Sequence, residues 1–407
     1  MRRESTLQLF GSVQLVGLLG DRLKQFTLVG MLGLLVPGSS FELLKLTLFS
    51  QIPILLFTPL VGSLIDRWNK PAAIVGSCVI RALLVMCVPF AYEHTQTIYA
   101  FYVAAFVTSI FDLVFAPARS ALLPEIVRPE RLLSVNAMFW TLGIIGTLLG
   151  FVGGGWIFDY FSWRNSFFAN AVVYAGAAVL MLPVAITHRP AETVPPLPRD
   201  PRHGIAVLAR SARDAVALLR QSRELRSSLS TQSVLFAVGG VMSVIGIAHV
   251  HEVVTSGRAV VLSEVGSVLI LGLITGALLA GWFREKTLPE RTVSVGALLA
   301  GVAIAGMGRA ESPLPMCIWA GLLGISISPV FIVTETLMQH RSPREFTGRV
   351  FAAREALIKA AFIAAAALAT LVNTFVSKSS ILVGLGLFLA LLGVILERTQ
   401  WLRLEKR

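Results

Sequence analysis

The chain has 407 residues, of which 55% are hydrophobic and only 14% charged, and its mean hydropathy is +0.76. That balance excludes a soluble globular protein, since a water-facing surface needs far more polar residues. The formal charge of +12 invites a nucleic-acid partner, but Lys and Arg concentrate in loops on one side of the predicted spans. This bias sets membrane orientation and favours anionic lipid, so no nucleic-acid partner is expected.

Crossing about 30 Å of hydrocarbon takes about 20 mostly apolar residues. Apolar stretches of that length predict spans over 9–36, 43–65, 72–92, 97–118, 133–155 and 165–187, then 229–250, 259–283, 290–308, 313–337, 350–375 and 379–397. They are too long and too evenly apolar for membrane β-strands, which alternate. The basic start Met1-Arg2-Arg3 precedes an apolar run interrupted by Asp21, Arg22 and Lys24. With no small-residue cleavage site after it, the first run reads as a retained helix. Both termini fall on the cytoplasmic side.

Residues 188–228 separate the two groups of spans. They open with a proline-rich piece from Pro190 to Pro201 and continue as a polar helical stretch carrying Arg210, Arg213, Arg220, Arg223 and Arg226. A solvated linker helix fits this pattern, and a narrow apolar stripe would also let it lie on the membrane surface. The domain expectation is therefore a first six-helix bundle over 1–187, a cytoplasmic linker over 188–228 and a second bundle over 229–407. The groups repeat one another weakly: Pro117 to Leu132 after the fourth span is echoed by Pro329 to Phe346 after the tenth. Two parallel repeats about an axis along the membrane normal leave such an echo.

Between the second and third spans stands Gly62-Ser63-Leu64-Ile65-Asp66-Arg67-Trp68-Asn69-Lys70-Pro71. It resembles the Gly-x-Leu-x-Asp-Arg-x-x-Arg/Lys signature of major facilitator superfamily transporters, with Asn69 at the usual small position. Gly281 to Lys286 is a degenerate second copy lacking the aspartate. The run Asp112 to Val127, with Pro129-Glu130-Arg131-Leu132, Asn136-Ala137 and Gly20-Asp21, is similar to a narrower bacterial group. That group includes enterobactin exporters and macrolide-efflux proteins, with lysophospholipid transporters as cousins. Gly143, Gly146, Gly150, Gly153, Gly154 and Gly155 give the fifth span a glycine-lined face for close helix packing. The proline of the drug-antiporter motif is missing there.

The resemblance implies an all-α membrane protein with the major facilitator fold, twelve transmembrane helices in two six-helix pseudo-repeats. It implies a monomeric secondary transporter of the bacterial inner membrane, exporting a small molecule in exchange for protons. It also implies a cytoplasmic gate built from Gly62, Leu64, Asp66, Arg67, Lys70 and Arg119, with Asp66 facing the N-terminal end of the eleventh helix. A helix N-terminus carries partial positive charge, so an acid there would hold the gate shut.

An ionised residue at the bilayer centre costs about 2.5–3.5 kcal/mol on insertion scales, so it normally faces partners or a wet cavity. Asp21 lies mid-way along the first span, with Lys24 and Gln25 on the same helical face. Asp112 lies in the fourth span, seven residues before Arg119, and Glu335 lies late in the tenth. In the superfamily the first, fourth, seventh and tenth helices line the cavity, which by resemblance places Asp21, Lys24, Gln25, Asp112 and Glu335 at a substrate or proton site. The alternative is that the acids form fixed pairs with Lys24, Arg81 or Arg119. Arg81 keeps its proton and reads as a structural or lipid-facing charge. A carboxylate in a poorly hydrated cavity can bind and release a proton near neutral pH, as an antiporter requires.

Cys78, Cys87 and Cys317 sit in apolar spans without paired spacing, so no disulfide or zinc site is expected. His249 and His251 are two residues apart and do not share a helical face, a poor metal pair. Glu355 and Lys359 are spaced to pair on one helix. No phosphate-binding glycine loop or nucleophile–base pair suggests an enzyme, and no cofactor is expected. The leading reading is proton-coupled export of an amphipathic or lipophilic compound such as a drug or siderophore. Alternatives are a lysophospholipid flippase and a divalent metal (iron) exporter, the latter from Gly20-Asp21-Arg22 and Phe26, which faintly resemble ferroportin's first helix.

Overall fold

A computed structural model describes residues 3–65, 68–128, 131–187, 223–253, 259–283, 289–341 and 347–404, and every described element is helical. In chain order these are α1 (Arg3–Leu35), α2 (Ser40–Ile65), α3 (Lys70–Thr95), α4 (Tyr99–Asp112), α5 (Phe115–Ile126) and α6 (Leu132–Thr187). Then come α7 (Arg223–Val253, with a π-helical turn at Met242–Gly246), α8 (Ala259–Phe283), α9 (Pro289–Arg309), α10 (Pro313–Arg341), α11 (Thr347–Val372) and α12 (Lys378–Leu404). Ten segments among the described residues are long and apolar enough to cross a membrane, and one of them, Ser134–Thr187, is 54 residues long. Their outer faces stay apolar, with Ile186 75% and Val172 70% exposed, as suits a hydrocarbon solvent.

Local chemistry sets the ends and breaks. Asn69 caps α3, its side-chain oxygen accepting from the Ala72 N–H at 3.2 Å, and Pro71 suits the first turn, where its missing N–H has no intrahelical partner to lose. Gln96, in the left-handed region at φ 51, closes the same helix by donating its N–H to Tyr92 O at 2.7 Å. The predicted fourth span runs over Tyr99–Arg119 as one apolar segment and tightens at its middle: Leu113 and Val114 stay in helical conformation, and the Val114 N–H donates to Phe111 O three residues back where α4 passes into α5. Within α6, Ser162 takes φ 72 and ψ 155, a conformation that costs a serine about 1–3 kcal/mol and interrupts the helix. That break falls between the predicted fifth and sixth spans.

The helices gather into two compact units. The first holds α1–α6 with the first turns of α8, and the second holds α7, α8 from Val265 onward, and α9–α12. In the first unit α6 packs on α1 and α3, and α2 on α4. Its core includes Phe10, Ile74, Leu122, Phe139 and Met181, with Phe10 and Phe139 edge to face at 5.0 Å. The glycine face of α6 lets α1 approach closely: a Cβ at Gly146 would lie 2.5 Å from Leu15 O, and one at Gly150 2.5 Å from Arg22 Cβ. Asp159 accepts from the N–H groups of Ala259 and Val260 at 3.0 and 2.9 Å, capping the start of α8 within this unit. In the second unit α9 packs on α12 and α10, while α7 packs on α11 and α10.

Asp66 and Arg67 of the loop signature lie outside the described residues, as does the Leu64 side chain; the backbone of Gly62 and Leu64 belongs to the last turn of α2. Lys70 opens α3. The predicted linker lies outside the described residues up to 222, and residues 223–228 form the first turns of α7.

Candidate functional site

The first unit carries a charged cluster inside its apolar bundle. From α3, Arg81 is buried to 2% exposure and reaches carboxylates on two other helices: Asp21 of α1 at 2.8 Å and Asp112 of α4 at 3.0 Å. Lys24, one helical turn beyond Asp21, bonds the other oxygen of Asp112 at 2.6 Å. Tyr174 of α6 donates its hydroxyl to Asp21 at 2.8 Å, and its ring lies 4.5 Å from the Arg81 guanidinium carbon. Arg81 also donates to Ser77 O and to Cys78 Sγ, each at 3.4 Å. Four helices thus converge on one guanidinium, whose Nη1 donates to both carboxylates while Nη2 and Nε turn to Cys78 and Ser77.

Close packing holds the cluster in place. Asn170 of α6 donates to Gly20 O at 2.6 Å, directly before Asp21. A Cβ at Gly20 would lie 2.8 Å from the Tyr174 ring, so only glycine admits that ring beside the acid. Asp21 and Asp112 keep 29% and 25% of their side chains exposed, and the space they meet is a cavity of about 170 Å³. Gln14, Gly17, Leu18, Asp21, Arg81, Asp112, Phe115 and Arg119 line it. Paired acids at such a cavity can exchange a proton with it while a neighbouring cation rebalances the charge.

Of the residues picked out from the sequence, the structure joins Asp21, Lys24, Asp112 and Arg81. The fixed-pair alternative describes their geometry, and the cavity keeps both acids accessible. Gln25 serves elsewhere, accepting from Arg22 at 2.8 Å. Arg119 lies on the cavity wall, with Gln14 Oε1 3.5 Å from its Nη1; its predicted gate partners Asp66 and Arg67 lie outside the described residues. Tyr174 and Asn170 give no signal in the sequence, being neutral residues in an apolar span.

The second unit holds its own cluster. Glu335 of α10 pairs with Arg354 of α11 at 2.6 Å. Gln232 of α7 accepts from Arg354 and donates to Glu335 and Thr334 at 3.1 and 3.3 Å. Glu355 also pairs with Arg354, at 3.0 Å. Arg354, 5% exposed, gives little signal in the sequence, because it sits near a span end, where a basic residue looks topological. Glu252, next to His251, pairs with Lys378. No three His, Cys, Asp or Glu side chains gather among the described residues.

The family model of the Major Facilitator Superfamily matches residues 26–260, more than half of the chain. The chain belongs to the major facilitator superfamily. Its relatives in that superfamily include the uncharacterized MFS-type transporter YfiS of Bacillus subtilis, 23% identical over 97% of this chain and 93% of the relative. Macrolide efflux protein A of Streptococcus pyogenes is 24% identical over 77% and 76%, and the multidrug resistance protein MdtG of Salmonella dublin is 22% identical over 75% and 70%. Among solved structures, the nucleoside transporter NupG aligns with a TM-score of 0.70 over 96% of this chain and 98% of its own. At 12% identity that likeness concerns the fold. The chain is thus a membrane-embedded major facilitator transporter with efflux relatives.

Proposed function

We propose that this transporter exports a small amphipathic or lipophilic compound in exchange for protons, and that Asp21 is the main proton-carrying group. One observation carries the reading: two carboxylates from different helices share the buried Arg81 at the edge of a cavity. Protonating Asp21 would leave Arg81 bonded to Asp112, and Lys24 paired with the same carboxylate, while freeing the Asp21 part of the network. A proton arriving from the cavity can therefore rearrange helix contacts without stranding a buried charge. The macrolide and multidrug relatives support efflux as the direction. Glu335, paired with Arg354 in the second unit, is a supporting acid.

The same reading takes the protein as a monomer of twelve spans with both termini cytoplasmic, in a bacterial inner membrane, with bundles over 1–187 and 229–407 joined by 188–228. The interruption at Ser162 supports counting α6 as two spans. Alternating access would then proceed by rocking of the two bundles, with Gly62, Leu64, Asp66, Arg67, Lys70 and Arg119 at a cytoplasmic gate. Asp66→Asn is expected to cut transport at least about tenfold with little change in abundance, as loss of a charge–helix contact in one state would do. Equal loss of both would remove the gate role.

The deciding experiment measures proton movement by purified protein in proteoliposomes challenged with a cationic dye, a macrolide, a catecholate siderophore, lysophosphatidylethanolamine and ferrous iron. Asp21→Asn runs alongside. Substrate-dependent proton movement that disappears in the variant is expected. Lipid movement without a proton signal would replace antiport by a flippase, and an unaffected variant would return Asp21 to a structural role.

A further inference from the structure

We propose that Arg119 reads an acidic group on the transported compound, a phosphate or carboxylate, inside the cavity of the first unit. The inference rests on the transporter reading and narrows its substrate class. Its basis is the charge balance of the cavity. Asp21 and Asp112 are already answered by Arg81 and Lys24, at 2.6 to 3.0 Å, and Tyr174 adds a further donor to Asp21. The acids therefore present little unanswered negative charge to a cationic ligand. Arg119 is the third cation of this neighbourhood, on the same cavity wall.

Seven-residue spacing on an unbroken helix would set Arg119 on the face of Asp112. Both line the cavity, but among the described residues Asp112 pairs with Lys24 and Arg81 and not with Arg119. Among the described residues the Arg119 guanidinium meets one partner, the neutral Gln14 oxygen at 3.5 Å, the outer limit of a hydrogen bond. Among the described residues this half-buried guanidinium, with five N–H donors, is left with one weak acceptor. An oxyanion is its best partner, because two parallel N–H···O bonds fit carboxylate and phosphate geometry. The cavity volume of about 170 Å³ holds a headgroup of a few water volumes at about 30 Å³ each. Leu18 and Phe115 supply apolar wall for the adjoining part of the ligand.

The test is calorimetric titration of the full chain in nanodiscs with four probes: hexyl phosphate, hexyltrimethylammonium, hexanol and inorganic phosphate. Wild type is expected to bind hexyl phosphate at least about tenfold more tightly than hexyltrimethylammonium or hexanol, a typical charge-assisted preference. Arg119→Gln should bring the three within about twofold, and Arg119→Lys should keep part of the preference as a point charge. Melting curves accompany each variant, and Arg119→Met replaces Arg119→Gln if the latter does not fold. Inorganic phosphate binding as tightly as hexyl phosphate would assign the site to a soluble anion; weaker binding would assign it to an acidic amphiphile. Either result keeps the anion-reading role. Equal affinity for the three hexyl probes in wild type, or an undiminished preference in Arg119→Gln, overturns the proposal while leaving export intact. No binding of any probe would overturn the small-amphiphile reading together with it.

Discussion

Each unit buries one arginine among carboxylates, but the two arrangements differ in what they could release. Arg81 ties α3 to α1, α4 and α6 and holds two acids that both border a cavity. Arg354 ties α11 to α10 and α7, with one acid inside the bundle and a second, Glu355, 55% exposed. In the first cluster, protonating Asp21 leaves Arg81 with Asp112, a carboxylate it shares with Lys24. In the second, protonating Glu335 leaves Arg354 with Gln232 and an exposed glutamate. Burial alone does not distinguish them. The number of partly buried carboxylates bonded to the arginine does: two for Arg81 and one for Arg354.

Breaking the arginines tests that comparison most severely. Arg81→Leu leaves Asp21 with no cation and Asp112 with Lys24 alone and is expected to cost about 3–5 kcal/mol, the usual loss when one partner of a buried pair is removed. Arg354→Leu should cost about half as much, because one of its two acids is already exposed to its surroundings. Melting temperatures of the purified variants in one detergent measure the difference. Equal losses would mean that the number of helices joined is irrelevant.

The next effect concerns transport. Asp21→Asn should reduce substrate-driven proton movement at least about tenfold, whereas Glu335→Gln should reduce it less than about threefold. The measurement is initial proton flux normalised to reconstituted protein. If the two variants lose equally, both units carry the coupling and the comparison fails at its central point.

Hydropathy made the spans readable, and intramembrane charge made Asp21, Lys24, Arg81 and Asp112 readable, because each interrupts an otherwise apolar helix. Their partners were not readable, since pairing depends on interhelical distances that one chain's spacing leaves open. Gln25 shares the nominal face of Asp21 yet accepts from Arg22. Glu355 sits four residues from Lys359 and also pairs with its own neighbour Arg354. Tyr174 and Asn170 are invisible to a hydropathy scan although both hold the segment around Asp21. The tightening at Leu113 and Val114 is signalled by Pro117 alone, whose missing N–H leaves Leu113 O without its usual helical partner.

The glycine seams sharpen the comparison at smaller energies. In the first unit Gly146 and Gly150 admit α1, and in the second Gly272 and Gly324 let α8 and α10 meet backbone to backbone. A methyl at Gly272 would collide with Gly321 O, and one at Gly276 would lie 2.5 Å from Ile325 O. Gly146→Ala and Gly272→Ala are each expected to cost about 1–3 kcal/mol, the range for overpacking. Gly153→Ala should be nearly neutral, because a Cβ there meets only Ile157 at 3.9 Å. A neutral result at Gly146 would show that α1 can move away, and would weaken the view that the Asp21 helix is held rigidly.

The smallest effect lies away from both arginines. Asp159 accepts two N–H groups at the start of α8, and Ser263 donates to Phe151 O at 2.6 Å one turn further on. Asp159→Ala removes a cap and should cost about 1 kcal/mol; Asp159→Asn, which keeps the acceptor oxygen, should cost less. Melting temperature separates the two variants, and proton flux by the surviving protein shows whether the cap has any part in turnover. A flux loss beyond the stability loss would mean that the start of α8 moves during transport. Unchanged flux would leave coupling to the charged cluster of the first unit.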